Sequence, residues 1–502
     1  MVAINGILLV VVILNDSLVE KNGGDTSGSW DRCEVLRLLH KAQVCPWCSV
    51  LFLADPGNSS KDYDNQTIMT ALQSWDPDYT SPSLGTAHCA SCVGVFGNID
   101  QIAENILQQV STSGYQPSTF FVRVQLPLGM IVRQSILLRW LKDQCPNYPV
   151  TTIDIKSLLR KLVNRAISSA SNLTSDPESP FTMDLVLGHG ESESDYQKWM
   201  PTTGGRNPRG RGNARPFKGG KDVVLNLLSS VTSDQLTEVG LYPPPPVNSP
   251  CSVESVTFSQ RSIFVGGRYT KHRRDISQTP FSVGGVSLSA TSVSEIIGPA
   301  LVKSCHAERF NFVPSGREDM DVQMLGNGRP FYIEIVNPKV LHLSEMDLKE
   351  VENQIGTKQG VQAHRLTLID PEATRMIKEG EEHKTKSYVC LVWCQNTLSP
   401  QTLGKLADYK EGLVVQQRCP IRVLHRRANL VRPKQIHRLE VQPVQDHWAL
   451  VHLTTEAGTY VKEFIHGDCG RSQPSFADLI GCSADILELD VEKVDLEWPP
   501  TQ

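Results

Sequence analysis

Three carboxylates lie close together between arginines in residues 315–338, which read SGREDMDVQMLGNGRPFYIEIVNP. Glu318, Asp319 and Asp321 follow Arg317, and Arg329 comes eight residues after the last of them. A carboxylate beside an arginine stays ionised, which suits a nucleophile better than a proton donor. The alternative is a solvated acidic loop without chemistry, and this pattern alone does not exclude it.

The elements that follow these acids would hold them at a rigid edge. In residues 331–336 (FYIEIV), the apolar residues at 331, 333 and 335 alternate with Tyr332, Glu334 and Val336. This period of two predicts a half-buried β-strand. Gly326 and Gly328 allow positive φ or a close approach of a ligand to the backbone. We therefore expect the carboxylates to lie at the mouth of a rigid site.

Composition places the chain among globular proteins with more than one domain. Its 502 residues are 40% hydrophobic and 21% charged, which suits two or three domains with sizeable cores. A formal net charge of −5 and an isoelectric point near 6.2 exclude a histone-like polycation. Any nucleic-acid surface must therefore be a local basic face.

An apolar stretch occupies residues 3–14 (AINGILLVVVIL). It is shorter than the roughly 20 residues that span a bilayer, and no Lys or Arg precedes it as in a secretory signal. These flanks favour a buried strand or a mis-assigned start, with a secretory signal as the alternative. We treat residues 1–30 as a segment of uncertain role and expect no membrane association.

Four of the 13 cysteines form two CxxC pairs. Cys45 and Cys48 lie in QVCPWCSVLF, and Cys89 and Cys92 lie in AHCASCVGVF. Each pair can direct two thiolates at one centre, and two pairs supply the four sulfur ligands of a structural zinc site. This spacing predicts a structural Zn²⁺ ion, whereas two unrelated pairs or a redox dithiol are the alternatives.

The first half of the chain otherwise alternates apolar strands with helical patterns. Residues 155–166 repeat apolar positions at the spacing of one helical face, with basic residues around it. Residues 201–221 form a basic Gly/Pro-rich insertion, which is either a soluble loop or a set of phosphate contacts through Arg206, Arg209, Arg211 and Arg215. The YPPPP run at 242–246 is a stiff spacer, so we place a domain boundary near residue 250.

Two segments of the second half concentrate basic residues among aromatic and His side chains. They read IFVGGRYTKHRRDISQTPF and QQRCPIRVLHRRANLVRPKQIHR. Clustered cations bind phosphates, and an aromatic ring can stack on an unpaired base, so both segments are interpreted as RNA-facing loops. The predicted RNA-binding residues are Arg268, Lys271, Arg273, Arg274, Arg422, Arg426 and Arg427.

Several long motifs in one order carry a resemblance to a known family. They are the paired CxxC motifs, YPPPP, GRYTKHRRDISQTPF, GREDMDVQMLGNGRPFYIEIVNP, PIRVLHRR, GTYVKEFIHGDCGR and ADILELDVEKVDLEWPP. The chain resembles the pseudouridine synthases, and most closely the archaeal and eukaryotic tRNA pseudouridine-54/55 synthases. The resemblance implies an α+β protein with a zinc-binding, THUMP-like α/β accessory domain over 31–250. Residues 251–502 would form the catalytic fold on a mixed, mainly antiparallel sheet.

The resemblance also implies a role for each matching residue. Asp319, two positions after Arg317, would be the catalytic nucleophile, with Asp321 as second choice. By pattern alone, Tyr388 and Lys462 suggest a core tyrosine and a surface lysine. The family pattern instead makes Tyr388 a stacking partner of the target uracil and Lys462 a partner of Asp319. The remaining predicted substrate-binding residues are Arg317 and the apolar Val461 and Leu489 beneath the base.

The reaction that the resemblance implies detaches uracil from the ribose and reattaches it through C5, without an organic cofactor. The expected partner is the T-arm of tRNA, modified at position 54, 55 or both after base flipping, with other structured RNAs as further candidates. We expect a monomer in the nucleus and cytoplasm. Gln323 and His272 depart from the family pattern. We expect these two departures to affect the affinity for RNA more than the chemistry.

Two other functions are compatible with parts of the sequence. The first is an RNA-binding or RNA-processing adapter that uses the zinc domain and basic loops without turnover. The second is a zinc-dependent RNA deaminase, which needs an open metal site and an HxE glutamate that the CxxC pairs lack.

Overall fold

The structure is a computed structural model that describes residues 30–53, 64–149, 154–199, 220–356 and 360–500. The apolar residues 3–14 and the four arginines of the basic insertion lie outside these ranges. The chain forms two compact units. The first takes the described residues up to Glu104, with those of Val124–Ala166 and Leu185–Ser255. The second takes Asn105–Arg123, Ile167–Asp184 and the described residues from Val256 onward.

The α-helices of the described residues are α1 (Arg32–Lys41), α2 (Pro46–Leu53), α3 (Asn65–Trp75), α4 (Ile99–Ser113), α5 (Leu128–Gln144), α6 (Ile155–Ala170), α7 (Gly190–Trp199), α8 (Lys221–Ser230), α9 (Ser233–Glu238), α10 (Val293–Cys305), α11 (Glu345–Gly356), α12 (Arg375–His383), α13 (Pro400–Ala407), α14 (Val461–His466) and α15 (Phe476–Ile480).

The strands are β1 (Thr119–Gln125), β2 (Thr174–Ser175), β3 (Phe181–Gly188), β4 (Ser252–Gln260), β5 (Ile263–Lys271), β6 (Ser282–Val283), β7 (Val286–Ser287), β8 (Arg309–Pro314), β9 (Gln323–Val336), β10 (Val361–Ile369), β11 (Lys386–Cys394), β12 (Leu413–Arg418), β13 (Val431–Gln445), β14 (Trp448–Thr455), β15 (Ser472–Gln473) and β16 (Ala484–Val494).

The helix predicted over 155–166 is confirmed as the first part of α6. Ile155 and Leu159 are almost fully buried, so the apolar stripe of the sequence faces the core. The proline run at 242–246 packs within the first unit, since Arg133 donates a 2.7 Å hydrogen bond to the Pro245 carbonyl and Pro244 is buried. It therefore does not stand apart from the unit as an extended spacer.

The strands form a smaller and a larger sheet. The smaller sheet has the order β2-β1-β3-β4, and β1 and β2 are parallel. The larger sheet has the order β10-β5-β9-β16-β11-β14-β13-β12-β15, with β8 also paired to β9. Its described pairs are antiparallel except for β16 and β9, which run parallel. This confirms the predicted α+β class with a mixed, mainly antiparallel sheet.

Strand β9 is an interior strand of the larger sheet and follows the predicted alternation. Phe331, Ile333 and Ile335 are fully buried, whereas the residues between them are half-buried. Hydrogen bonds to β5, β8 and β16 satisfy its backbone. The loop that carries Asp319 enters this strand directly, so its end is anchored in the core.

A short N-terminal segment also belongs to the second unit. The Tyr115 hydroxyl donates to Asn337 Oδ1 at 2.7 Å, and Lys339 Nζ donates to the Ser113 carbonyl at 2.6 Å. Asn337 and Lys339 lie just after the end of β9, so these two hydrogen bonds join the segment to that strand. The predicted boundary near residue 250 stays a prediction.

Within the part of the chain that the structure describes, every helix is too short or too polar to cross a lipid bilayer.

Truncating Phe331 should show how strongly the second unit depends on β9. Its ring packs against Tyr269 and Phe312 with centroids 5.9 Å and 5.3 Å away. We expect Phe331→Ala to lower the free energy of unfolding by about 3–5 kcal/mol, because it leaves a cavity in the core. Urea denaturation followed by circular dichroism measures the change, and Val414→Ala on exposed β12 should change it by less than about 0.5 kcal/mol. Equal effects of the two variants would contradict this account.

Candidate active site

The substrate-site residues predicted from the sequence line one cavity of about 350 Å³ in the second unit. Its wall includes Gly316, Arg317, Glu318, Asp319, Val322, Arg329, Glu381, Lys386, Tyr388, Arg422, Val423, Arg426, Arg427, Gly458, Thr459, Tyr460, Val461, Lys462, Leu489 and Val491. A carboxylate, an aromatic ring, cations and an apolar floor thus meet in one place. Asp321 is not among the lining residues.

Four separate elements position the central groups. Asp319 lies in the loop between β8 and β9, and Tyr388 lies on β11. Tyr388 pairs with Val491 on β16, where Leu489 lies two residues earlier on the same face. Val461 and Lys462 begin α14, so the cation enters the cavity from a helix start. Burial raises the pKa of Tyr388 to about 12, so its hydroxyl stays protonated at neutral pH.

Two cations flank the Asp319 carboxylate. Lys462 Nζ and Arg422 Nη1 each lie 3.6 Å from Asp319 Oδ2. Lys462 is closer to Asp321, whose Oδ2 it reaches at 2.8 Å. Although partial burial raises the pKa of Asp321, the hydrogen bond and charge of Lys462 lower it below its usual value overall. The expected Lys462–Asp319 pair is therefore a shared contact with both aspartates.

Arg422 contacts the site from the second basic segment. Its Nε donates to Glu463 Oε1 at 2.7 Å, and the Glu463 side chain is buried. The predicted phosphate-binding residue thus also lies against the candidate nucleophile, a position that its local sequence did not indicate.

A buried network lies behind the aspartate loop. Arg329 Nε donates to Glu318 Oε2 at 2.6 Å, and both side chains are almost fully excluded from water. The Tyr269 hydroxyl donates to Glu318 Oε1 at 2.7 Å, and Gln278 Nε2 donates to the Tyr269 oxygen at 2.8 Å. The acid that precedes Asp319 is therefore structural, whereas Asp319 itself is exposed.

The structure contradicts the predicted phosphate contacts of Arg268 and Lys271. Both side chains are buried, and their donors bind backbone carbonyls. Lys271 Nζ donates to the carbonyls of Ile276, Asp319 and Met320, which holds the aspartate loop. The acceptors of Arg268 are the carbonyls of Asn327, Gly328, Val494, Leu496 and Trp498.

The other predicted RNA-binding cations remain at the surface to different degrees. Arg274 is held by Asp490 and Glu488, and Arg273 is paired with Asp275. Arg426 and Arg427 are exposed at the rim of the cavity, and within the described residues their guanidinium groups make no ion pair. These two are therefore free to meet an anionic ligand.

The two departures from the family pattern contact each other. Gln323 Nε2 donates to the His272 carbonyl at 2.6 Å, and His272 Nε2 lies 3.0 Å from Thr270 Oγ1. Both side chains thus take part in hydrogen bonds within the protein.

Sequence reasoning missed Lys386. Its side chain is buried in the cavity wall, two residues before Tyr388 on β11. Burial, followed by repulsion from Arg329, lowers the pKa of Lys386 to about 8. The sequence does contain a signal for this residue: a lysine at the start of an apolar strand, two positions before Tyr388 and therefore on the same face of the strand.

The four paired cysteines meet in the first unit. Cys45, Cys48, Cys89 and Cys92 place their sulfur atoms within 4.8 Å of one another, and the Cys45 and Cys92 sulfurs are 3.8 Å apart. Tetrahedral zinc with Zn–S bonds of about 2.3 Å separates its sulfur ligands by about 3.8 Å. The Cys45 backbone N–H also donates to Cys89 Sγ at 3.2 Å, as suits a thiolate ligand. The cluster can therefore hold a metal ion.

Known proteins match both halves of the chain. The family model described as "Pus10, C-terminal" matches residues 264–495, and "Eukaryotic Pus10, N-terminal" matches residues 89–258. The tRNA pseudouridine synthase Pus10 of Mus musculus is 34% identical over 428 residues, covering 82% of this chain and 79% of that protein. The chain belongs to the Pus10 family of pseudouridine synthases. It is an isomerase that converts uridine in RNA to pseudouridine.

Further Pus10 relatives span two domains of life. The tRNA pseudouridine synthase Pus10 of Homo sapiens is 33% identical over 420 residues, covering 82% of this chain and 79% of the relative. The Methanopyrus kandleri protein of the same name is 38% identical over 245 residues, covering 46% of this chain and 56% of the relative. A solved Cbf5-Nop10-Gar1 complex superposes with a TM-score of 0.26 at 16% identity, covering 45% of this chain and 47% of that one.

Removing the Arg268 guanidinium should affect stability. We expect Arg268→Met to lower the free energy of unfolding by at least about 3 kcal/mol, because buried carbonyls lose their donor. Urea denaturation measures this change. Arg273→Met in the same segment removes only an exposed ion pair and should leave the unfolding midpoint close to that of the wild type. A stable Arg268→Met protein would contradict the structural role.

Proposed function

We propose that this protein isomerises uridine to pseudouridine in the T-arm of tRNA, at position 54, 55 or both, with Asp319 as the nucleophile. The observation that carries the proposal is the cavity in which Asp319, Tyr388 and Lys462 meet. Relatives named tRNA pseudouridine synthase cover most of the chain, which supports tRNA as the substrate.

The target base would leave the RNA stack to reach this cavity. Its ring would stack on Tyr388 above the buried Val461 and Leu489. Asp319 would act from the exposed mouth, where its Oδ2 lies 3.6 Å from Lys462 Nζ and 3.6 Å from Arg422 Nη1. Asp321 is the weaker candidate, since it makes the closer ion pair and does not line the cavity.

Exposed cations at the rim would hold the RNA around the flipped base. Arg317, Arg426 and Arg427 line the same cavity and have exposed side chains. Such groups bind phosphates without reading sequence, so the folded shape of the T-arm would supply much of the selectivity. We place the enzyme, acting as a monomer, in the nucleus and cytoplasm, where thiols stay reduced.

We further propose that the four-cysteine cluster holds a structural zinc ion. All four ligands are sulfur, which leaves no open position for water or substrate. The metal would stabilise the first unit and take no part in isomerisation. A zinc-dependent deaminase, which needs an open position, does not suit this ligand set.

The Asp319→Asn variant should lose activity and retain RNA binding. We expect Asp319→Asn to slow pseudouridine formation at least about 10³-fold, because the amide is a poor nucleophile of the same shape. Carbodiimide treatment and primer extension on an unmodified tRNA transcript locate the product, and a filter-binding assay measures affinity. Asp321→Asn is the matched control and should retain a measurable rate.

The outcomes of this experiment separate the alternatives. Loss of product in Asp321→Asn but not in Asp319→Asn would reverse the assignment of the nucleophile. Transcripts with cytidine at position 54, at position 55 or at both identify the modified uridine. RNA binding without product in the wild-type protein would favour the adapter function.

Removing one cysteine of the cluster should release the metal. We expect Cys48→Ser to lower the zinc content from one ion per chain to near zero and to lower the melting temperature, because metal binding and folding are coupled. Inductively coupled plasma mass spectrometry measures the metal. Cys482→Ser, outside the cluster, should retain it. A full zinc content in Cys48→Ser would contradict the site.

A further inference from the structure

Lys386 is a buried cation in the wall of the cavity. The residue is 8% exposed, and within the described residues its ammonium makes no hydrogen bond or ion pair. It lines the cavity that contains Asp319 and Tyr388. An unpaired buried charge is costly, so the fold retains here a donor with no acceptor of its own.

The neighbours of Lys386 explain why it has no internal partner. A methyl group placed on Gly316 would lie 3.4 Å from Lys386 Nζ and 3.1 Å from Arg329 Nη1, so both cations lie next to Gly316, and the charge of Arg329 opposes that of Lys386. Glu318 is engaged by Arg329 and by the Tyr269 hydroxyl. Glu318 is therefore already occupied, and the exposed Glu381, whose charge favours the ammonium, makes no ion pair with Lys386 among the described residues.

The position of Lys386 on its strand directs it at the flipped base. Lys386 and Tyr388 are two residues apart on β11, so their side chains leave the same face of the sheet. Tyr388 is the residue on which the uracil ring is proposed to stack. A group of that ring is thus the natural acceptor, whereas backbone phosphates would lie nearer the exposed arginines at the rim.

We propose that Lys386 is a further substrate-binding residue, whose ammonium donates a hydrogen bond to a carbonyl oxygen of the target uracil and stabilises the ring when its bond to ribose breaks. This inference rests on the proposed function, in which the uridine enters this cavity. The role is that of a preorganised donor aimed at developing negative charge.

The chemistry balances without a proton from Lys386. When the C1′–N1 bond breaks, a carboxylate oxygen of Asp319 bonds to C1′, and the electron pair of the broken bond stays on the uracil and spreads from N1 to the carbonyl oxygens. When the C5–C1′ bond forms, the Asp319–C1′ bond breaks and returns its electron pair to the carboxylate, C5 loses its hydrogen as a proton, and N1 gains one. The ammonium therefore supplies a hydrogen bond and a charge, and it is unchanged at the end.

Replacing the ammonium with an isosteric apolar chain tests this role. We expect Lys386→Met to slow single-turnover pseudouridine formation about 10²-fold, as for loss of one donor to developing charge. The affinity for tRNA should stay within about twofold of wild type, since the rim cations would provide the phosphate contacts. Lys384→Met, an exposed lysine two residues earlier, is the matched control and should keep the wild-type rate.

The pH profile provides a readout that a purely structural role would not change. Burial and then Arg329 lower the pKa of Lys386 to about 8, with Glu381 opposing and Lys434 adding to the shift. The ammonium is charged below this pKa, so kcat/KM for the wild type should fall as the pH rises above about 8. Tyr388, with a pKa of about 12, does not titrate in this range. Lys386→Arg keeps its charge and should lose this fall in kcat/KM.

Each alternative outcome overturns the proposal in a distinguishable way. A single-turnover rate for Lys386→Met within about threefold of wild type would remove the catalytic contribution. Weaker tRNA binding at an unchanged rate would indicate a phosphate contact instead. If both Lys386 variants lower the melting temperature while the rate and pH profile stay unchanged, the role is structural. If the wild-type protein forms no product with tRNA, the proposed function fails, and this inference fails with it.

Discussion

The buried ion pair between Arg329 and Glu318 is the interaction on which the active site depends. Its two side chains lie 2.6 Å apart and are only 2% and 0% exposed. Glu318 immediately precedes Asp319, so the position of the pair sets the position of the candidate nucleophile. Breaking such a pair from one side costs about 3–5 kcal/mol, because an uncompensated charge stays buried. The loop therefore has one strongly favoured arrangement.

Buried cations extend this constraint through the backbone. Lys271 holds the carbonyls of Asp319 and Met320, and Arg268 joins Gly328 within β9 to Val494 at the end of β16 through carbonyl acceptors. These donors satisfy peptide carbonyls in the aspartate loop, at the irregular part of β9 and at the end of β16. The loop thus has an anchored backbone and a carboxylate that projects into water.

Two groups of basic residues around the active site differ in environment. Arg268, Lys271 and Arg329 are buried and support the site from behind. Arg426 and Arg427 are exposed at its rim, where a polyanion can reach them. The division explains how a chain with a formal net charge of −5 can present a local cationic surface around one cavity.

The sequence determined the features that depend on residue type and local period. The alternation of residues 331–336, the apolar face of α6 and the spacing of the CxxC pairs each predicted a feature that the structure contains. The assignment of Asp319, Tyr388 and Lys462 to one site needed the family resemblance in addition, since pattern alone suggested a core tyrosine and a surface lysine.

Tertiary structure decided which partner each long side chain meets. Arg268 contacts the Val494 carbonyl across 226 residues of sequence, and Lys462 contacts Asp321 across 141. A dense cluster of cations looks the same in a sequence whether it faces RNA or buried carbonyls. Only the packing of distant elements determines whether a cation such as Arg268 or Lys386 is in water, paired, or buried with its donor directed into a cavity, because burial and partner geometry are properties of the assembled fold.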